Sequence, residues 1–503
     1  MLDGLVQLGN AFTVFANFTT LFNVLWATLA GILIGSLPGL TATMGVALLT
    51  TLTYQLPPAQ AILILISVYV GAIYGGSRSA ILLNIPGTPA NAATTLDGFP
   101  LARSGRGGEA MGIATTASMM GTFIGVLFLA AIAPLLAEFA LRFGSYEYFW
   151  LAIFGIVIAG QMTSFDDALK GWISGFLGLM VAMVGQESIH AYDRLTFGIP
   201  DLAGGLALIP ALVGAFGFAE VLTVMKNRAP ELAARSVGRV LPKLSELWRY
   251  KRTIGRSGVI GTVVGIIPGV GEDIGAWISY AAARRGSKEK EQFGKGSIEG
   301  LIAAETGNNT AIPGALIPAL TLAVPGSAPA AVLLAAMLIH GIRPGPLIMI
   351  EAPDFVFQVV WMVMLATVAI GVIGLLLTRP LLQVLRVPRE RLMPVIFVLC
   401  VIGPYAITQR LFDVYVMIGF GILGFVLREM KYPMAPLVLG IILGEILDKN
   451  LRRALVLADG DLTPFFTRPI SMVLWIATLL VILLALPPVR RGVSRLLRWE
   501  TAA

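Results

Sequence analysis

A chain of 503 residues that is 56 % hydrophobic and 13 % charged cannot wrap a polar surface around a core, because an ordinary soluble domain carries about 25 % charge. Residues 4–77, 306–342 and 469–489 hold no Asp, Glu, Lys or Arg, and one membrane-spanning helix needs only about 20 apolar residues. The net charge of +7 does not point to nucleic acid, because it is concentrated in the stretch from Lys226 to Arg256 and in the tail from Arg490 to Arg498. Short basic loops beside spanning helices mark the cytoplasmic side. A lone Cys400 and two histidines, His190 and His340, leave no disulfide, structural zinc, haem attachment or thiol redox centre to build. Both histidines read as loop or interface residues.

In chain order, residues 1–225 form a first half. Residues 1–20 lack the basic start and cleavage site of a signal peptide and are read as mature chain. The apolar stretch 21–53 is interrupted by Pro38-Gly39. Proline removes a backbone donor and glycine permits positive φ, so this pair reads either as the tip of a re-entrant hairpin or as a kink in one helix. The run Ala61 to Leu83 ends at Asn84-Ile85-Pro86-Gly87-Thr88-Pro89-Ala90-Asn91, and spans are expected near 110–137, 147–165, 171–187 and 203–225. Trp26, Trp150 and Tyr148 read as interfacial anchors. Residues 226–256 are a basic cytoplasmic linker, and 257–468 form a second half. Its opening stretch, 254–283, lies between basic loops and is short for two crossings, so it reads as a re-entrant hairpin with its tip at Pro268-Gly269. An extra transmembrane helix at 469–488 and a basic cytoplasmic tail at 489–503 complete the chain. The expectation is an all-α polytopic membrane protein with about 11–12 membrane segments.

The halves repeat one another. Gly35-Ser36-Leu37-Pro38-Gly39 answers to Gly265-Ile266-Ile267-Pro268-Gly269, and Ile85-Pro86-Gly87-Thr88 to Val324-Pro325-Gly326-Ser327. Further matches follow in the same order: Pro134-Leu135-Leu136 with Pro380-Leu381-Leu382, Phe165-Asp166 with Phe412-Asp413, Leu177-Gly178 with Leu423-Gly424, and Glu220-Val221-Leu222 with Glu445-Ile446-Leu447. Counting crossings back from the basic linker puts Tyr54 to Gln60 outside, whereas the charged partner loop, Arg284 to Glu299, belongs inside. The fold class expected is therefore two inverted-topology repeats with re-entrant or broken helices. Secondary transporters of that design place substrate and ion sites at the repeat interface, on broken helices.

The second pair of breaks carries the most polar chemistry. Asn84, Pro86, Gly87, Thr88, Pro89 and Asn91 in the first half, and Asn308, Asn309, Pro325, Gly326 and Ser327 in the second, are candidate substrate-binding residues. Unwound backbone at membrane depth is tolerated only where protein or a cavity surrounds it, and it frees carbonyls for a cation and N–H groups for an anion. Thr88 and Ser327 also stand where an N-cap is needed, and capping alone would explain them. Arg78 either meets a substrate carboxylate through its bidentate fork, or snorkels, or pairs with an acid such as Asp97. Glu272, Asp273 and Glu305, with Thr41 and Thr43 behind the first tip, are candidates for a coupling cation, Na⁺ or H⁺. Glu272 and Asp273 serve equally well as a helix cap or a subunit contact. Pro38, Gly39, Pro268 and Gly269 are the helix-break and hinge residues.

The motif Gly75-Gly76-Ser77 through Ala80-Ile81-Leu82-Leu83-Asn84-Ile85-Pro86-Gly87-Thr88-Pro89, with Asp97-Gly98-Phe99-Pro100-Leu101-Ala102 and the Phe293-Gly294-Lys295-Gly296 to Ser327 region, resembles the large membrane subunit (TctA type) of the tripartite tricarboxylate transporters. The resemblance runs over roughly residues 20–460. It departs from the family pattern at Thr306 and Gly307, which weakens the transfer of a role to those two positions but not to Asn308 and Asn309. It implies a bacterial inner-membrane permease that works with a small membrane subunit and a periplasmic solute-binding protein. Such systems import carboxylates, citrate among them, on an ion gradient. In keeping with that, no Walker-type GxxxxGK[ST] stretch occurs, and neither HExxH nor GxSxG supports an enzyme. No cofactor is expected beyond a coupling Na⁺. The alternatives are a passive anion channel, which would show a continuous polar helix face or charged ring, and a scaffold subunit without its own substrate site.

Overall fold

The computed structural model describes residues 2–163, 167–187, 189–226, 240–242, 244–384, 388–485 and 489. Most of the basic linker, the C-terminal tail and the Phe165-Asp166 match lie outside the described residues. The principal helices of the first half are α1 (Leu2–Phe15), α2 (Phe18–Ser36), α3 (Ala42–Thr53), α4 (Pro58–Leu83), α5 (Ala92–Leu101), α6 (Gly107–Ala140), α7 (Ser145–Thr163), α8 (Ala168–Ala182) and α9 (Leu208–Lys226). Those of the second half are α10 (Lys251–Ile266), α11 (Gly271–Gly286), α12 (Ile298–Leu322), α13 (Ala328–Ile339), α14 (Pro353–Leu376), α15 (Met393–Thr408), α16 (Leu411–Glu429) and α17 (Met434–Leu457), followed by α18 (Pro469–Ala485). Among the described residues, six segments are long and apolar enough to cross a membrane: α2, α4, the stretch Pro89–Ala140, α9, α14 and α16. Five shorter apolar helices accompany them. The protein is an all-α polytopic membrane protein.

Two compact units cut across the halves. One comprises Met1–Ala140 and Ala207–Val426, the other Leu141–Leu206 and Leu427–Ala503. In the first unit, both proline-glycine pairs close helical hairpins. Leu37 N–H donates to the Ile34 carbonyl and Ile267 N–H to the Val264 carbonyl, each at 3.2 Å, so the two first arms end alike. Gly39 and Gly269 then turn the chain at φ +94° and +73°. Thr41 caps α3 by accepting from Met44 N–H at 3.2 Å. The arms differ in length: α2 has 19 residues and is itself long enough to span, whereas α10 and α11 have 16 each.

The second breaks match just as closely. Asn84 ends α4 at φ +58°, ψ +26°, and Ala323 ends α12 at φ +56°, ψ +27°. From there the chain doubles back. Gly87 N–H reaches the Gly76 carbonyl at 3.3 Å, and Gly326 N–H reaches the Ala315 carbonyl at 3.4 Å. Each loop glycine lies against the end of its own hairpin arm. A Cβ on Gly87 would fall 1.9 Å from the Gly35 carbonyl oxygen, and one on Gly326 would fall 2.1 Å from that of Gly265. Only glycine permits this approach, which is how small residues hold membrane helices together without a hydrophobic driving force.

The last helix of each half packs with helices of the other. In the first unit, α9 lies on α15 and α16, with Gly214 against the Met417 carbonyl. In the second, α17 lies on α7 and α8, where Gly178 meets the Leu437 carbonyl and Gly440 meets that of Gly175. The second unit is pinned at its loops. Buried Glu147 accepts from Gly144 N–H, Arg468 Nε and Ser471 Oγ at 2.8–3.0 Å. Trp150, expected as an interfacial anchor, donates its Nε1–H to the Phe465 carbonyl at 2.8 Å.

Replacing Gly87 or Gly326 by Ala is expected to destabilise the protein by about 1–3 kcal/mol through overpacking. Gly255→Ala, on an exposed helical position with no atom within 4 Å, is expected to be neutral or stabilising by about 0.5–1 kcal/mol. Thermal unfolding of the detergent-solubilised variants separates the two outcomes.

A buried polar cluster at the helix breaks

The long helix α12 is buried along nearly its whole length, so its polar segment Glu305-Thr306-Gly307-Asn308-Asn309-Thr310 meets protein on every side. The Glu305 carboxylate is fully buried and accepts three hydroxyl donors. Thr94 Oγ1 reaches Oε1 at 2.5 Å, while Ser77 Oγ and Ser118 Oγ reach Oε2 at 2.7 and 2.9 Å. These donors come from α5, α4 and α6, all in the first half. Behind Ser77, hydrogen bonds lead into the first broken loop. Asn91 Nδ2 donates to Ser77 Oγ at 3.0 Å, and Thr88 Oγ1 donates to Asn91 Oδ1 at 2.6 Å. On the other side, Asn309 Nδ2 donates to Ser118 Oγ at 2.9 Å, and its buried Oδ1 has no hydrogen-bond partner. Asn308 Nδ2 donates to the Ala90 carbonyl at 3.2 Å, between Thr88 and Asn91.

The second broken loop is joined across the halves in the same sense. Tyr69 on α4 donates its hydroxyl to Glu272 Oε1 and lies 2.8 Å from Ser327 Oγ. Ser327 Oγ also donates to Glu272 at 3.0 Å while capping α13 through Ala330 N–H at 3.4 Å. Tyr69 and Asn308 stand 15 residues before Asn84 and Ala323 respectively, so each long helix extends one polar side chain from the same register into the opposite loop. Among the described residues, neither Glu305 nor Glu272 joins an ion pair. A buried carboxylate without a counter-charge is costly, and here only neutral donors offset that cost.

The structure thus brings Thr88, Asn91, Asn308, Asn309 and Glu305 into one network, and Ser327 and Glu272 into another. Gly87 and Gly326 supply the close approach beneath them, and Pro86 and Pro325 lie in the loops. Thr88 precedes a single 3-10 turn and makes no side-chain cap, so its hydroxyl is left for Asn91. Asn84 and Pro89 are exposed, and Asn84 acts through its left-handed backbone. Asp273 is half-buried on the first turn of α11, Thr43 is buried within α3, and Thr41 is a cap. Pro38, Gly39, Pro268 and Gly269 form the hairpin tips.

One expected pairing is replaced by another. Asp97 does not meet Arg78. Its Oδ1 accepts three backbone N–H groups, from Gly294, Gly296 and Ser297, at 2.8–2.9 Å, and its Oδ2 accepts Tyr280 OH at 2.9 Å. Three backbone donors from the loop ahead of α12 and one hydroxyl from α11 hold this carboxylate, which ties α5 to the loop ahead of Glu305. Arg78 instead donates Nη2 to Tyr74 OH and to the Gly374 carbonyl, at 2.8 and 3.3 Å. Sequence reasoning missed Tyr69 and Ser118, because a single hydroxyl inside an apolar run leaves hydropathy almost unchanged. Ser77 stands within the Gly75 to Pro89 motif, but nothing local links it or Thr94 to Glu305.

Residues 21–439 match the family described as Tripartite tricarboxylate transporter TctA family. Two similar proteins come from Agrobacterium vitis. "Uncharacterized 52.8 kDa protein in TAR-I ttuC' 3'region" is 34 % identical over 484 residues, covering 94 % of this chain and 95 % of that protein. "Uncharacterized protein in TAR-II ttuC' 3'region" is 35 % identical over 231 residues, covering 46 % of this chain and 96 % of that protein. No solved structure matches.

Asp97→Asn keeps an oxygen for the three backbone N–H groups but removes the negative charge that strengthens those bonds and forces the Tyr280 hydroxyl to accept, and is expected to cost about 1–3 kcal/mol. The loop at residues 287–297 should then be cleaved faster in limited proteolysis, while the rest of the chain keeps its wild-type pattern.

Proposed function

The chain belongs to the tripartite tricarboxylate transporter TctA family, whose members are the large membrane subunits of such transporters, and from that premise we propose that it imports carboxylates by alternating access, driven by a Na⁺ or H⁺ gradient. It works with the small membrane subunit and periplasmic solute-binding protein of the tripartite system, in the inner membrane, with the central linker and C-terminus cytoplasmic. The substrate is citrate or a related di- or monocarboxylate. The observation that carries this reading is the directed run of hydrogen bonds from Thr88 through Asn91 and Ser77 to Glu305. It links a broken loop that can present N–H groups to an anion with a buried carboxylate that lacks a counter-charge. A Na⁺ or proton at Glu305 would neutralise that carboxylate, and every donor now facing it would have to adjust. Cation binding is thereby coupled to the loop.

Loop contacts support the inverted orientation. Glu147 with Arg468 and Arg194 with Asp448 join segments that crossing parity puts outside. Arg249 with Glu289, and Lys170 with the Met430 carbonyl at 2.9 Å, join segments that it puts inside. An elevator-like movement of the loop-bearing helices fits the paired hairpins.

Vesicles holding this chain, its small partner and the binding protein should accumulate labelled citrate when given a Na⁺ or H⁺ gradient and no ATP. Uptake that needs ATP and ignores both gradients overturns the proposal. Glu305→Gln should abolish net uptake. Ser327→Ala, which removes a hydrogen bond to a carboxylate, should slow it by about 10- to 100-fold, and Thr88→Val, which removes one between neutral groups, by about 2- to 10-fold. Membrane assembly should be unchanged in all three.

A further inference from the structure

Arg78 is the largest fully buried side chain among the described residues, at 2 % exposure, and it lies in the unit that holds both broken loops. Its neighbour Ser77 faces Glu305, but successive residues on a helix diverge by about 100°, and Arg78 points to a different junction. There α4 meets α6 and α14. Nη2 uses its two hydrogens on Tyr74 OH and the Gly374 carbonyl, at 2.8 and 3.3 Å. The guanidinium carbon lies 5.3 Å from the Tyr74 ring centroid, and Tyr74 OH is 2.6 Å from Thr115 Oγ1. Nε and Nη1 are buried and have no partner. No carboxylate pairs with the group among the described residues.

The balance of charge is incomplete at this point. The Gly374 carbonyl belongs to the last turn of α14, where the helix dipole contributes a fraction of a negative charge, and it already accepts a hydrogen bond from Thr378 Oγ1. A ring face and one shared carbonyl do not match a full guanidinium charge, and the three N–H groups on Nε and Nη1 stay unmade. An unpaired buried guanidinium is costly, and an oxyanion is the chemical partner that would offset that cost.

We propose that Arg78 is the receptor for an oxyanion, a carboxylate or a phosphate, which enters between α4, α6 and α14 and takes the free Nε–H and Nη1–H groups. The site is separate from the network around Glu305. Val372 and Leu376 lie two residues on either side of Gly374, on the opposite face of α14, and expose 46 % and 75 % of their surface, so the guanidinium lies one helix behind an exposed apolar surface. Two sources supply such an oxyanion: the headgroup of an anionic phospholipid whose chains run along that apolar surface, and a carboxylate of the transported substrate. The second source rests on the carboxylate-transport reading and the first does not.

The test uses the full-length chain with its small membrane subunit. Native mass spectrometry follows added phosphatidylglycerol against phosphatidylcholine, and uptake assays follow citrate. If the lipid is the source, phosphatidylglycerol is retained at about tenfold lower concentration than phosphatidylcholine, and Arg78→Gln removes the preference. If the substrate is the source, there is no lipid preference, and Arg78→Gln raises KM for citrate by about tenfold or more at unchanged kcat. Arg103→Gln, at an exposed basic position, should alter neither. Arg78→Lys, which keeps the charge without the planar fork, should show a partial loss, and it decides the matter if the Gln variant does not assemble. The proposal is overturned if the Arg78 variants keep wild-type lipid preference and wild-type KM, or if Arg103→Gln changes them as much. Wild-type protein that takes up no citrate speaks against the transport reading alone, because the lipid measurement still judges Arg78.

Discussion

The Glu305 carboxylate, buried among three hydroxyls and in no ion pair among the described residues, is the contact on which the rest of this architecture turns. Water would solvate a carboxylate freely, whereas apolar surroundings penalise it by several kcal/mol. The fold answers by aiming donors from α4, α5 and α6 at one side chain of α12, and this requires the two halves to cross closely. Gly121 and Gly125 of α6 serve that crossing, where a Cβ would fall 2.6 and 2.7 Å from the Thr306 and Thr310 carbonyl oxygens of α12. Gly35 and Gly265 let each first arm lie against the long helix of its own half, where a Cβ would fall 1.9 Å from the Ala72 carbonyl oxygen and 2.5 Å from that of Ala311.

The two halves share backbone geometry more faithfully than chemistry. Asn84 and Ala323 adopt the same left-handed conformation, although only Asn tolerates it readily. Tyr69 and Asn308 occupy the same register, yet one reaches a carboxylate and the other a carbonyl. The acids are one-sided: Glu272 and Glu305 both belong to the second half, and the first half answers them with hydroxyls. The two halves keep one backbone frame, while the side chains around Glu305 and Glu272 diverged into first-half hydroxyl donors and second-half carboxylate acceptors.

Much of this fold was legible beforehand because its signals are local. Proline and glycine act on their own φ and their own hydrogen bond, so Pro38-Gly39, Pro268-Gly269 and the two Pro-Gly-Thr/Ser loops announced breaks wherever the helices lay. Membrane embedding is a matter of composition over about 20 residues and needs no tertiary information. The hairpins appeared where expected, although α2 proved long enough to span by itself.

What the sequence alone determined, then, is the membrane class, the duplicated order of breaks and the short list of polar residues beside them, because each follows from neighbours along the chain. Only the tertiary structure decided that Ser77, Thr94 and Ser118 meet Glu305, that Tyr69 reaches Glu272, and that Asp97 is taken by the loop before α12 rather than by Arg78. Those pairs are separated by up to 228 residues. A helix buried on every side shows no amphipathic stripe to say which face meets which neighbour. The partner of each polar group was therefore set by packing between helices, and packing is the information a linear pattern of hydrophobicity does not contain.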